Sequence, residues 1–398
     1  ALSLPRSALA SVGIDPGLSD QSLREALFGP QSGCERVLAY LDAEAEAVRA
    51  SIDSDGEALD LLLDEWLEAA RAACDREQLA WRASYGRASG SDSGPRHDLD
   101  PTSAEEVAAE AAVRQAAQAV GAPHEWGRYF GRHSKSFRFS ARLFPSRPAK
   151  LIEGVYAFCR FTDDLVDEAT IPVPEARLRL EAWRRLSARA WSGTATGIPL
   201  LDEVMGQMAR HDVPFHYADD LLTGVGMDLE PVQFKTLDDL HVYTYRVASV
   251  VGGWITELFD VRSADLLERA FDVGHAMQLT NIVRDVGEDL RNGRLYVPLA
   301  LLAEYGIDRA DLERSAHAES GLPPGWSALT ERLMAEADHH YQEAFRVLPE
   351  LPVWYARPVA VAARVYQGIH DAVRANGHDN LTRRAHTRLG QKLRLGAG

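Results

Sequence analysis

Cysteine is scarce in this sequence of 398 residues, and its few cysteines form no pattern. The three are Cys34, Cys74 and Cys159. An odd number at such wide spacing matches neither a disulfide framework nor a zinc-binding motif. This usage is typical of proteins in a reducing compartment, so we expect a cytoplasmic protein.

Long apolar runs are also missing. No stretch approaches the roughly 18 consecutive apolar residues that a transmembrane helix needs. The first residues lack the basic region and apolar core of a signal peptide. We therefore expect no membrane-spanning segment, and any membrane contact would be peripheral, on the inner face.

Positive charge is in short supply as well. The 43 basic residues stand against 59 acidic ones, for a net charge of −16. Only four of the basic residues are lysines, namely Lys135, Lys150, Lys235 and Lys392. An acidic surface repels a phosphate backbone, which argues against general nucleic-acid binding. The composition is 46% hydrophobic and 26% charged, as is ordinary for a soluble globular protein.

The chain divides into an extension, a linker and a large helical region. Residues 1–87 show helical periodicity but no catalytic motif. We expect them to form a helical extension whose role and partner are unknown. Residues 88–102 are rich in Gly, Ser and Asp, which is linker composition. Residues 103–398 contain amphipathic helical segments separated by prolines and almost no strand-like alternation. We predict an all-α bundle with a central cavity.

The first stretch with chemical content is residues 156–168. It contains neither proline nor glycine and reads as a helix. Helical spacing places on one side Tyr156, Arg160, Asp163, Asp164 and Asp167. Three carboxylates on one turn repel each other unless the face is solvated or a cation neutralises it. A solvated acidic face is the ordinary interpretation of such a cluster when it stands alone.

A second stretch, residues 278–289, strengthens the cation interpretation. Gln278, Asn281, Asp285 and Asp289 step by three, four and four positions along one helical face. Arg284 lies beside that face. Two such helices facing each other would form a cage of oxygen ligands, and Mg²⁺ is held in this way by a few carboxylates together with substrate phosphates.

The two stretches together resemble a known family. YAFCRxxDDxxD and QLTNIxRDVxEDxxxGRxYxP are similar to the motifs of the head-to-head prenyl synthases, which include squalene, dehydrosqualene and phytoene synthases. Three further patches agree, at residues 133–137, 243–248 and 363–366. The resemblance extends over about residues 125–395 and leaves out the first hundred. It implies the isoprenoid-synthase-type fold.

The resemblance also implies roles for individual residues. Mg²⁺, with Mn²⁺ as a substitute, would be held by Asp163, Asp164, Asp167, Asn281, Asp285 and Asp289. Substrate would be bound by His133, Ser134, Lys135, Ser136, Phe137, Tyr156, Arg160, Gln278, Asn281 and Arg284. Tyr245 and Tyr366 would line the cavity near the reacting carbons, and they complete the catalytic set with the five aspartates.

Plainer interpretations of these side chains remain. From the residues alone, a surface loop is the ordinary interpretation of Ser134, Lys135 and Ser136. Arg160 and Arg284 each stand beside aspartates, where simple salt bridging is the alternative. Buried tyrosines are usually core residues.

The family reaction joins two prenyl diphosphates head to head (1-1′) through a cyclopropylcarbinyl diphosphate and releases diphosphate. The ending Asn380–Ala385 looks most like bacterial phytoene synthases. We therefore expect phytoene from two geranylgeranyl diphosphates, without NADPH, because this branch ends in proton loss.

The alternatives are a C15-using dehydrosqualene or squalene synthase, a class I terpene cyclase and a non-catalytic scaffold on the same fold. A cyclase would carry a different second motif. The scaffold relatives have lost aspartates that are all present here.

Overall fold

The computed structural model describes residues 101, 103–126, 143–167 and 171–385, and these form twelve α-helices. The first six are α1 Ala104–Ala117, α2 Ser146–Asp167, α3 Val173–Trp191, α4 Pro199–Arg210, α5 His216–Met227 and α6 Leu237–Thr244. The others are α7 Val250–Leu258, α8 Ala264–Arg291, α9 Leu299–Glu304, α10 Arg309–Ala316, α11 Trp326–Val347 and α12 Val353–Ala375. The extension and nearly all of the linker lie outside the described residues, so the predicted division of the chain stays a prediction.

The all-α prediction is confirmed over the described part of the chain. The only β-type pairing there is an isolated parallel bridge between Gln233 and Leu295. One irregularity was not predicted: the chain runs from α6 into α7 through a π-helical turn, Tyr245–Ser249. Such turns widen a helix locally and are frequent at functional sites.

Local signals explain where two of the helices begin. Ser103 caps α1, and its hydroxyl accepts the Glu106 N–H at 3.1 Å while Glu106 accepts the Ser103 N–H at 3.1 Å. Thr236 and Asp239 form the same reciprocal box at the start of α6. Each box satisfies backbone donors that a helix leaves unpaired. In both boxes an acidic residue follows the capping Ser or Thr by three positions.

Aromatic packing fixes the orientation of α2. Phe158 stacks on Trp183 with ring centroids 5.5 Å apart and meets Trp254 edge-on at 5.5 Å. Phe161 packs against Trp183 at 4.6 Å. The Trp183 indole N–H also donates to the Thr162 hydroxyl at 3.0 Å. With these side chains buried, the aspartates of α2 are left on the opposite side of the helix.

The long helix α8 approaches its neighbours closely at two glycines. A Cβ added to Gly274 would lie 2.3 Å from the Ser249 Cα, in the π-helical turn. One added to Gly287 would lie 1.9 Å from the Leu381 carbonyl oxygen. Because both obstacles are backbone, neither can rotate away. These contacts hold α8 against the π-helical turn on one side and the C-terminal segment on the other.

We expect Gly274→Ala to destabilise the protein by about 1–3 kcal/mol, although alanine favours helix, because the new methyl group forces two backbones apart. Thermal or urea unfolding measures the effect. Gly321→Ala is the matched control, because nothing lies within 4 Å of the added Cβ there. Equal stability of the two variants would contradict the close packing of α8.

Candidate active site

The first aspartate face lies at the C-terminal end of α2. Arg160 forms an ion pair with Asp164, one helical turn further on. Burial alone would lower the pKa of Arg160, but Asp164 and Asp163 outweigh it and the pKa is raised. Arg160 therefore keeps its charge beside the motif. Asp163 is half-buried and Asp167, at the end of the helix, is exposed.

The second face lies on α8, in the predicted register. The Asn281 amide donates to the Gln278 side-chain oxygen at 3.2 Å. Asn281 Oδ1 is buried and, among the described residues, has no hydrogen-bond donor. Arg284 donates to both oxygens of Asp285, at 2.8 and 2.5 Å. An orphaned carbonyl oxygen in register with two carboxylates fits a hard cation, which accepts oxygen ligands only.

Contacts that no local pattern indicated join the two faces. Arg294, just beyond α8, donates twice to Asp167 Oδ1, at 3.1 Å each. Asp228, at the C-terminus of α5, accepts the hydroxyls of Tyr243 at 3.0 Å and Tyr296 at 2.9 Å. Burial is the main cause of the raised pKa values of Asp163 on α2 and Asp289 on α8, and the charge of Asp228 adds to both shifts. The structure thus brings both motifs together around Asp228.

The carboxylates of this cluster carry shifted pKa values. Burial, reinforced by Asp167 and Asp228, raises the pKa of Asp163 to about 7 even though Arg160 opposes the shift. Burial and Asp285 raise the pKa of Asp289 to about 7. Burial raises that of Asp228 to about 6 against its two tyrosine hydrogen bonds. Burial, more than repulsion between the carboxylates, thus makes the charged form of these groups costly.

The C-terminal segment adds a second cation at the α8 face. Arg384 contacts Asp285 Oδ1 at 2.8 Å and Oδ2 at 3.1 Å. Its other terminal nitrogen lies 2.9 Å from Glu288. Asp285 is consequently flanked by Arg284 and Arg384. Two guanidinium groups beside the motif suit a diphosphate, since the planar fork of arginine matches phosphate oxygens.

The predicted tyrosines lie in two places. Burial raises the pKa of Tyr156, and Tyr366 adds to the shift; Tyr366 also raises the pKa of Arg284. Tyr366 on α12 is therefore close to both motif helices. Tyr245 belongs to the π-helical turn and meets Phe271 edge-on at 5.5 Å. His133, Ser134, Lys135, Ser136 and Phe137 lie outside the described residues, and their predicted roles stay predictions.

Sequence reasoning assigned no role to five residues of the cluster: Asp228, Tyr243, Arg294, Tyr296 and Arg384. Four of them stood inside stretches already recognised, in the YTYR patch, the GRxYxP end of the second motif and the ending at residues 380–385. Each is a polar or charged side chain in an apolar or basic stretch, and this contrast could have indicated a functional role. Asp228 had none, because it is a single carboxylate in a connection between helices.

A helical bundle that joins two aspartate faces is the arrangement of enzymes that use prenyl diphosphates. The chain belongs to the squalene/phytoene synthase family, whose sequence model matches residues 130–391. A phytoene synthase of Rhodobacter capsulatus is 36% identical over 262 residues, 66% of this chain and 76% of that protein. A phytoene synthase of Thermus thermophilus is 38% identical over 266 residues, which cover 66% of this chain and 87% of that protein.

Solved structures agree on the fold. A dehydrosqualene synthase in complex with a ligand superposes with a TM-score of 0.61 at 28% identity, over 74% of this chain and 95% of that one. A squalene synthase from Alicyclobacillus acidocaldarius superposes with a TM-score of 0.57 at 23% identity, over 70% of this chain and 97% of that one. The predicted family and isoprenoid-synthase-type fold are confirmed. In the part of the chain that the structure describes, no helix has the length and apolar character needed to cross a membrane.

The raised pKa of Asp289 predicts a stability effect in metal-free protein. Asp289 titrates near 3.8 when unfolded and near 7 when folded, so the folded state binds more protons between these values. The free energy of unfolding therefore falls as pH rises from about 4 to about 7. Asp289→Asn removes this penalty, and we expect it to stabilise the protein at pH 8 by roughly 1 kcal/mol or more.

Thermal unfolding in EDTA at pH 8 and at pH 5 tests this expectation, with the larger gain at pH 8. Asp371→Asn is the control, because this carboxylate is 76% exposed on α12 and does not belong to the cluster. A destabilised Asp289→Asn variant at pH 8 would show that the charge of Asp289 is compensated within the protein.

Proposed function

We propose that this chain condenses two molecules of geranylgeranyl diphosphate head to head to phytoene, releasing diphosphate. The observation that carries the proposal is the junction of the two aspartate faces at Asp228 and Arg294, with its buried carboxylates. The relatives named above, both phytoene synthases, support the C20 substrate over the alternatives.

Divalent-metal dependence is general in this family, and the donors here fit Mg²⁺. All are oxygens: carboxylates of Asp163, Asp164, Asp167, Asp285 and Asp289, and Asn281 Oδ1, which has no hydrogen-bond donor among the described residues. A buried carboxylate gains a counter-charge when a cation binds. Mg²⁺, or Mn²⁺ in its place, would neutralise the diphosphate as it leaves.

The arginines bind and orient the two diphosphates. Arg160 on α2, Arg284 on α8 and Arg384 from the C-terminal segment surround the carboxylates and can each face a phosphate oxygen. Positive charge placed where the leaving group gains charge stabilises that step more than the bound substrate, which is what accelerates ionisation.

Aromatic side chains protect the carbocation left behind. Tyr156 on α2 and Tyr366 on α12 are close enough to interact electrostatically, and Tyr245 lies on the π-helical turn near the rings of Phe271 and His275. Ring faces stabilise a nearby cation and exclude water. The 2,3 double bond of the second prenyl diphosphate attacks the cation, and loss of a proton closes the cyclopropane ring of cyclopropylcarbinyl diphosphate. Renewed ionisation, rearrangement and proton loss yield phytoene, with diphosphate as the proton acceptor.

The C15 reaction, from farnesyl diphosphate to dehydrosqualene or squalene, is the second candidate. The structural similarity to a dehydrosqualene synthase, at 28% identity, is the observation that favours this candidate. Farnesyl diphosphate is therefore included in the test. A cyclase or a non-catalytic scaffold fits less well, because every motif aspartate is retained and the second motif keeps its Gln278–Asp289 register.

Product analysis tests the proposal. Purified full-length chain with Mg²⁺ receives geranylgeranyl or farnesyl diphosphate, each with and without NADPH. We expect a C40 hydrocarbon with a central conjugated triene from the C20 substrate, unaffected by NADPH. C30 products alone would replace the proposal with the C15 reaction, and cyclic products would establish a cyclase.

We expect Asp164→Asn and Asp285→Asn each to lower kcat by about 10²–10³-fold, since each removes a carboxylate that would hold the Mg²⁺ needed to neutralise the leaving diphosphate. The asparagine oxygen still accepts from Arg160 or Arg284, so the thermal midpoint should shift by only a few degrees. Asp371→Asn is the control, because this aspartate is 76% exposed on α12. Near-normal turnover of either motif variant would refute the two-helix site.

A further inference from the structure

A second cluster of metal-ligating side chains lies outside the aspartate site, where helices α6, α8 and α11 meet. His241 belongs to α6, His275 to α8, and Glu336 and His340 to α11. The ring centroids of His241 and His340 are 5.5 Å apart, and those of His275 and His340 are 5.0 Å apart. Three imidazoles and a carboxylate at one junction are not needed for packing, which apolar side chains would serve better.

The donor atoms of three of these residues converge. One ligand atom each from His241, Glu336 and His340 lies within 4.8 Å of the others. The distance from His241 Nε2 to Glu336 Oε1 is 3.6 Å. A tetrahedral ion with bonds of about 2.0 Å separates its ligand atoms by about 3.3 Å. Small side-chain rotations would close the remaining gap. Glu336 and His340, four residues apart, share one face of α11.

The hydrogen bonding of the cluster leaves nitrogen atoms available. His340 Nδ1 lies 2.7 Å from Asp272 Oδ1, so the neutral ring donates there and carries its lone pair on Nε2. That Nε2 and His241 Nε2 are both buried and, within the described residues, have no hydrogen-bond partner. A carboxylate that orients an imidazole in this way is the usual outer partner of a zinc-binding histidine.

The charge states also suit a metal. Burial lowers the pKa of His241, so its ring is neutral near pH 7. Burial would raise the pKa of Glu336, but the Arg332 hydrogen bond outweighs it and the pKa is lowered. Arg332 donates to Oε2 at 2.7 Å, which leaves Oε1 directed toward His241. A neutral imidazole beside an anion forms no ion pair, whereas both are good ligands for a transition metal.

We propose that His241, Glu336 and His340 bind a divalent transition metal of the Zn²⁺ class. Two imidazole nitrogens and one carboxylate oxygen are a known zinc set, with solvent as the fourth ligand. Imidazole selects such metals over Mg²⁺, which the all-oxygen aspartate site prefers. His275 is not a ligand, because its ring stacks on His340 at 23° and its Nδ1 contacts the Thr244 hydroxyl at 2.7 Å.

The bound ion would tie α6 to α11. Helix α6 carries Tyr243, which holds Asp228, and continues directly into the π-helical turn with Tyr245. The ion would therefore stabilise the wall of the aspartate site from outside. This role does not depend on which prenyl diphosphate the protein uses.

Metal binding to the full-length chain tests the proposal. Protein stripped with EDTA and dialysed free of chelator is titrated with Zn²⁺ alone, without Mg²⁺ or substrate. We expect the His241→Ala/His340→Ala double variant to bind one Zn²⁺ per chain fewer than wild type. At saturating Zn²⁺ the thermal midpoint of wild type should rise by about 5 °C, and that of the double variant should not. Bound Co²⁺ should give the intense visible absorption of a four-coordinate site.

Matched variants separate this site from others. His339→Ala removes the exposed neighbouring histidine and should bind Zn²⁺ like wild type. Asp164→Asn/Asp285→Asn should also keep the Zn²⁺-induced rise, since it alters only the aspartate site. Glu336→Gln keeps the side-chain volume and should weaken Zn²⁺ binding by about 10-fold or more. Equal Zn²⁺ stoichiometry and stabilisation in wild type and double variant would overturn the proposal, whether or not the protein makes phytoene.

Discussion

Burial of carboxylates is the constraint on which the rest of this structure depends. Asp163, Asp228 and Asp289 come from three helical segments, and burial is the main cause of the raised pKa of each, with neighbouring carboxylates adding to it. Such a cluster opposes folding, so packing elsewhere must hold it together. The aromatic contacts of α2 with Trp183 and the glycine contacts of α8 supply that packing. In the proposed function, a bound cation would offset this cost.

The distribution of arginine follows from the same constraint. Arg160 and Arg284 each neutralise a neighbour on their own helix, while Arg294 and Arg384 reach a motif from outside it. None is sequestered in the core of the cluster. This leaves the guanidinium groups at its edge, where a phosphate group can share them, and leaves the interior carboxylates for the metal.

The two proposed metal sites differ in their ligand chemistry. The aspartate site offers only oxygens, and the junction of α6, α8 and α11 offers imidazoles with one carboxylate. Hard Mg²⁺ and borderline Zn²⁺ sort between such sets by ligand type. Helix α6 contributes to both places, through Tyr243 to Asp228 and through His241 to the imidazole cluster. A change at one site therefore has a direct route to the other through a single short helix.

Sequence by itself determined the helical class and the membership of each aspartate face, because helical periodicity is a local property of the chain. It also located Arg160 and Arg284, which lie within a turn of their partners. Only the tertiary structure decided that Asp228 joins the two faces, that Arg384 returns to Asp285, and that His241 meets Glu336 and His340. The Tyr296–Asp228 contact spans 68 positions of the chain and the Arg384–Asp285 contact spans 99, and no local periodicity records which distant segments will pack together.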